Sequence, residues 1–90
     1  MIEIQTPSAK TMTVKILGPG CANCRRLEAN TRSAVEQLHV SAVIEKVEDI
    51  GDIMSYGIMR TPGLIVDDQV VISGRVPSVP EIITLLTDQL

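Results

Sequence analysis

Two cysteines one helical turn apart dominate the chemistry available to this chain. Cys21-Ala22-Asn23-Cys24 is its only cysteine pair, and a bridge across it would close so small a loop that it constrains the unfolded chain little. Its value lies in reactivity. The pair stands where a β-rich stretch, Met12 to Leu17, is stopped by Gly18-Pro19-Gly20 and handed to a helical pattern. Unpaired backbone N–H groups and the positive end of a helix dipole favour an anion at the first helical turn, which lowers the pKa of a thiol held there. Cys21 is therefore expected to be the nucleophile. Cys24, one turn on and in line with Leu27 and Thr31, is expected to face inward and to resolve a mixed disulfide formed at Cys21. A C-x-x-C beside a βαβ pattern is a specific redox signal, stronger than the reading of two small buried hydrophobes that happen to be close.

The elements that must position these sulfurs follow from periodicity. Cys24, Leu27, Thr31, Ala34, Val35 and Leu38 recur at helical spacing. Val40 to Val47 reads as a second strand, and Asp49 is placed to cap a short helix reaching Gly57. Gly63 to Val66 and Val70 to Ser73 read as an antiparallel hairpin across Asp67-Asp68-Gln69. Ser78 with Glu81 makes a capping-box pattern before the apolar face Ile82, Ile83, Leu85, Leu86 and Leu90, with Pro80 tolerated in the first turn. The predicted order is βαβαββα: an α/β fold with a four-stranded mixed sheet and helices on both faces. Residues 12–90 form the domain in this reading, residues 1–11 a loose polar leader, and Met12 a second candidate start.

Composition narrows the function classes. Ninety residues suffice for one core, and a hydrophobic fraction of 44% beside 21% charged residues suits a soluble globular chain. No apolar run approaches the roughly 20 residues of a membrane helix, and the N-terminus has no secretion pattern, so a cytoplasmic setting is expected. A net charge of −3 argues against nucleic acid as a partner. With Tyr56 the only aromatic, the core must be aliphatic. Met54 and Met59 are assigned to that core. His39 reads as structural or solvated, Glu45, Glu48, Asp49 and Asp52 as capping and surface groups, and Arg25 and Arg26 as solvent-facing. No cofactor or bound metal is expected.

Three motifs in order, Gly18-Pro19-Gly20-Cys21-Ala22-Asn23-Cys24, Tyr56-Gly57-Ile58-Met59-Arg60-Thr61-Pro62-Gly63 and Ser73-Gly74-Arg75-Val76-Pro77-Ser78, resemble the thioredoxin and glutaredoxin superfamily. They are most similar to the small, glutaredoxin-sized redox-active disulfide proteins of bacteria and archaea. The resemblance spans Met12 to Leu90. It implies a thioredoxin fold, thiol–disulfide oxidoreductase activity with Cys21 attacking and Cys24 resolving, and a protein or small-molecule disulfide as substrate. A thiol or dithiol reductase system would recycle the pair. It also implies a cis Pro62 opposite the sulfurs, with Thr61 offering backbone hydrogen bonds to an extended substrate; local physics alone favours a trans bond there.

The sequence departs from the family at several places: no Trp precedes Cys21, no Pro lies between the cysteines, and strand one carries no acidic residue. No basic cluster in the sequence marks a glutathione site, although Lys46, Arg60 and Arg75 are available cations. Two other functions compete. A C-x-x-C can hold a soft ion such as Cu(I) in a metallochaperone, but those domains run βαββαβ and end on a strand. A noncatalytic domain could instead hold peptides in the Thr61-Pro62 groove, since fold does not fix function.

Overall fold

The computed structural model describes residues 11–89. The segment read as a leader lies outside the described residues except for Thr11, as does Leu90. Alternation in Met-Thr-Val-Lys-Ile-Leu produces the first strand, β1 (Met12–Leu17), which buries Met12, Val14 and Ile16 and leaves Thr13 and Lys15 half-covered. It is followed by α1 (Ala22–Leu38), β2 (Ala42–Val47), α2 (Ile50–Ser55), β3 (Gly63–Val66), β4 (Gln69–Ser73) and α3 (Val79–Asp88). This is the βαβαββα order expected from the sequence.

The strands form one sheet in the order β2-β1-β3-β4. β1 runs parallel to β2, as a helix crossover requires, and antiparallel to β3, which pairs antiparallel with β4. The two central strands therefore carry the core. All four residues of β3 are buried, which explains why it reads as an unbroken apolar run rather than an alternating one. On one face Val14, Ile16, Leu64 and Val66 pack with Leu27 and Ala34 of α1 and Ile82 and Leu86 of α3. On the other, Leu17 and Ile65 pack with Ile53 of α2 and with Ile58. Helices thus cover both faces, and the aliphatic core closes without Phe or Trp.

The caps behave as their residue types dictate. Asp49 accepts the Asp52 N–H at 3.1 Å to start α2, and Ser78 accepts the Glu81 N–H at 3.3 Å to start α3. Differences from the sequence reading are local. β2 begins at Ala42 rather than Val40, because α1 closes through His39 in the left-handed region (φ 55°), and the chain needs Val40 and Ser41 to turn back. The Ser41 carbonyl then accepts the Met12 N–H at 2.9 Å.

The β3–β4 turn has two residues, not three: Gln69 pairs with Val66. Asp67 and Asp68 hold φ of 48° and 70°, the pair of positive values that a primed two-residue turn demands and that normally selects Asn-Gly. Asp67 accepts the Thr13 N–H at 2.9 Å, whereas among the described residues no side-chain hydrogen bond involves Asp68. Asp68→Gly is accordingly expected to raise unfolding stability by several tenths to about 1 kcal/mol, readable as a higher denaturant midpoint at unchanged slope.

Met54 and Met59 correct the sequence reading. Both are exposed, Met59 at 94%. Helix α2 is six residues long and buries only Ile53; Met54, the next residue around, turns to water, and Met59 lies in the loop beyond.

Candidate functional site

The site is assembled at the C-terminal end of β1. The Gly18 N–H donates to the Val47 carbonyl at 2.9 Å, so the end of β2 fixes the point at which the chain leaves the sheet. Gly20, with φ 95°, makes the turn that delivers Cys21 to the N-cap of α1. Cys21 is extended (φ −71°, ψ 171°), and its sulfur takes the place of the usual capping oxygen by accepting the Cys24 N–H at 3.3 Å. The two sulfurs are 2.6 Å apart, within reach of the bond they would form.

Their surroundings are opposite. Cys21 is exposed and Cys24 is 5% exposed, in line with buried Leu27 and Thr31. The hydrogen bond from the Cys24 thiol, reinforced by the Cys24 backbone N–H, pulls the Cys21 pKa below that of an ordinary thiol. Burial, and then the hydrogen bond it gives to Cys21, pushes the Cys24 thiol up. One thiol is poised to ionise and the other to hold its proton. Alkylation of the reduced protein is therefore expected to reach its plateau at lower pH for Cys21 than for a free thiol. Cys24 should react only at higher pH, read site by site by peptide mass spectrometry. The Cys21 plateau rate itself should be modest, since nucleophilicity falls with thiol pKa.

Near the buried sulfur lies Pro62. The Thr61–Pro62 peptide is cis, Pro62 is buried and Thr61 is exposed. The Pro62 carbonyl accepts the Gly74 N–H at 2.8 Å, which ties the proline loop to the end of β4. A Cβ on Gly18 would stand 2.2 Å from Cys24 Sγ and 3.9 Å from Pro62 Cα, so Pro62 lies near the buried sulfur although 38 positions from it in sequence.

Two site residues escaped the sequence reading. Gly18, read only as a strand stop, lies against the thiol: a Cβ there would fall 2.2 Å from Cys24 Sγ and 3.9 Å from Pro62 Cα. Gly74 (φ 83°) passes so close to the proline loop that a Cβ would sit 2.9 Å from that of Arg60. A glycine at a strand end next to a cysteine motif is the signal available for the first; nothing local marks the second.

The cations behave as solvent-facing groups. Arg25 Nη1 donates to the Gly20 carbonyl at 3.1 Å and Arg26 Nη1 to Asn23 Oδ1 at 3.5 Å, both in exposed settings. Lys46 is 3.6 Å from Glu28, and Arg75 pairs with Glu81, so neither stands free as a glutathione ligand. A cavity of about 20 Å³, room for one water molecule, opens on the inner side of Cys24 between Ile16, Gly18, Glu28 and Lys46. Among the described residues no three His, Cys, Asp or Glu side chains gather as a metal site. The order βαβαββα of the described elements also differs from the βαββαβ of metal-binding domains. No helix among the described residues is long and apolar enough to cross a membrane.

Comparison with known proteins agrees with this geometry. The thioredoxin domain family model matches residues 12–87. The thioredoxin of Methanothermobacter thermautotrophicus is 43% identical over 76 residues, covering 84% of this chain and 99% of the relative. That of Methanocaldococcus jannaschii is 39% identical over 71 residues, covering 79% and 81% respectively. Among solved structures, the germline-specific thioredoxin Deadhead of Drosophila melanogaster superposes with a TM-score of 0.65 over 92% of this chain and 85% of its own, at 12% identity, a likeness of fold.

Proposed function

Because the chain belongs to the thioredoxin family and is a thiol–disulfide oxidoreductase, we propose that Cys21 attacks the substrate disulfide, that Cys24 resolves it, and that Thr61 and Pro62 line the groove holding the substrate. The observation that carries this assignment is the asymmetry of the pair: an exposed sulfur accepting a helix N–H against a buried one that holds its proton.

In the reducing direction, the Cys21 thiolate attacks one sulfur of the substrate, the substrate S–S bond breaks, and the other substrate sulfur leaves as a thiolate that takes up a proton. Cys24 then loses its proton and attacks Cys21 Sγ. The mixed disulfide breaks, the second substrate thiol departs, and the Cys21–Cys24 disulfide retains the oxidation. Two electrons pass from the protein dithiol to the substrate. In this reading the backbone of Thr61, an exposed residue, offers hydrogen bonds to an extended substrate chain, and Pro62, lacking an N–H, adds no competing donor.

Protein disulfides are the proposed substrates, with small-molecule disulfides also admitted by an exposed Cys21, and a thiol or dithiol reductase system returns the pair to the dithiol. The proposed setting is the cytoplasm, where a chain whose two cysteines are the exchanging pair can be kept reduced. Residues 12–90 are the proposed functional domain. Cys24→Ser tests the division of labour: it should accumulate a stable mixed disulfide through Cys21 when mixed with an oxidised substrate. Rapid release of substrate from that variant would show that resolution does not depend on Cys24.

A further inference from the structure

The chain carries eight Lys and Arg residues, of which Lys10 lies outside the described residues. Four of the other seven are engaged. Arg32 and Lys46 pair with Glu28, Arg75 pairs with Glu81, and Lys15 donates to the Tyr56 hydroxyl at 2.7 Å. The remaining three, Arg25, Arg26 and Arg60, have no carboxylate ion pair among the described residues; Arg25 and Arg26 directly follow Cys24 in α1, and Arg60 stands two residues before Pro62.

Arg25 reaches the carbonyl of Gly20, next to Cys21, and Arg26 reaches the side chain of Asn23, between the cysteines. Arg60 is exposed and adjoins Thr61, with its stem held against Gly74. Of the carboxylates, Glu48, Asp49 and Asp52 stand at and just after the end of β2. Asp67 and Asp68 turn the hairpin at the opposite end of β1, where Asp67 bonds Thr13, and Glu36 lies in the last turn of α1.

This arrangement runs against local stability. Helices α2 and α3 each carry an acidic residue in the first turn, Asp52 and Glu81, as the helix dipole favours; α1 has none. Sparing the Cys21 thiolate a nearby negative charge accounts for the missing carboxylate. It does not account for two arginines. Cations there are unfavourable to the helix yet well placed for an anionic partner.

The face is also polarised. Glu48 lies beside Gly20, its Oε2 3.6 Å from where a Cβ on that glycine would be, on the rim formed by the β2–α2 connection. Arg25 shares that side, lining the same cavity as Glu48. Arg26 and Arg60 are left as the uncompensated charges of the face.

We propose that this face selects polypeptide disulfides flanked by Asp or Glu, with Arg26 and Arg60 meeting those carboxylates and Glu48 repelling them from the β2–α2 connection. The proposal rests on Cys21 being the attacking thiol. Exposed charges of this kind act mainly on encounter and partner choice, and salt screens them.

The test uses the full chain and three disulfide peptides identical except for flanking Glu, Gln or Lys. An uncharged reference, bis(2-hydroxyethyl) disulfide, reports the thiol chemistry alone. At an ionic strength of about 0.01 M, kcat/KM for the Glu peptide should exceed that for the Lys peptide by about tenfold, and the difference should collapse near 1 M salt. The double variant R26E/R60E should invert the order, and R26Q/R60Q should flatten it, each rate taken relative to the uncharged reference. Equal rates for the three peptides at low salt, with the reference still turned over, would overturn the docking proposal. Failure to turn over the reference would instead overturn the redox assignment beneath it.

Discussion

Cys21→Ser is expected to bring disulfide reduction close to the uncatalysed rate, a loss of at least roughly a thousandfold, because the one remaining thiol, Cys24, is buried and holds its proton. Fold stability should barely change. Cys21 is exposed, it packs against no core cluster, and serine is itself a favoured N-cap whose oxygen can accept the N–H now received by sulfur. The measurement is turnover of a disulfide substrate alongside a denaturant melt. An inactive protein with an unaltered melt is the expected combination. Retained turnover would mean that another group performs the attack, and a collapsed melt would mean that the side chain is structural.

Gly18→Ala is expected to have a large effect, since a Cβ there meets a closer neighbour than at any other glycine. The new Cβ would stand 2.2 Å from Cys24 Sγ and 3.2 Å from Cys24 Cβ, where no real carbon can sit. The strand end cannot retreat easily, since the Gly18 N–H is bonded to Val47, so the Cys24 side chain must leave its place or α1 must shift. Overpacking of this kind costs about 1–3 kcal/mol. The displaced sulfur also loses its approach to Cys21, so the release of mixed disulfide should slow together with the fall in stability. Because lost stability alone could follow from any clash, the decisive comparison is the double variant Gly18→Ala/Cys24→Ala. Removing the sulfur relieves the closest contact, so the two substitutions should be non-additive, with the double variant more stable than Gly18→Ala alone. Additive costs would show that the clash lies with some other neighbour.

Much of this architecture was legible in residue order, for identifiable reasons. The alternation of β1, the helical spacing from Cys24 to Leu38, and the capping residues Asp49 and Ser78 are local signals, and each is realised in place. The hairpin was legible as a hairpin, but its length was not. Asp67-Asp68 is a poor match to the preferred turn pair, and only pairing of Gln69 with Val66 fixes two residues rather than three. Met54 and Met59 were misassigned because methionine is compatible with core and surface alike; what decided their exposure is the shortness of α2 and its single buried residue, Ile53.

The site shows the same division. The C-x-x-C announced itself through spacing and position at a helix start. The cis form of Thr61–Pro62 was expected only through family resemblance, since the local preference is trans. Gly18 and Gly74 acquire their meaning from atoms on other segments, Cys24 Sγ and the side chain of Arg60. The basic rim was equally hidden. Arg26 and Arg60 are 34 positions apart in sequence, and only the pairing of Gly63 with Leu17 brings the segment that carries Arg60 to the end of the sheet from which α1 starts.

The central claim, that Cys21 and Cys24 form one redox couple, is tested most directly by equilibrating metal-free protein in graded dithiol/disulfide buffers and trapping the thiols with an alkylating agent. The account predicts a single reversible two-electron transition between dithiol and intramolecular disulfide, with a midpoint inside the span of about −270 to −120 mV covered by exchanging pairs of this kind. A pair that forms no intramolecular disulfide at any poise, and instead takes up a soft metal ion stoichiometrically in reducing buffer, would contradict it.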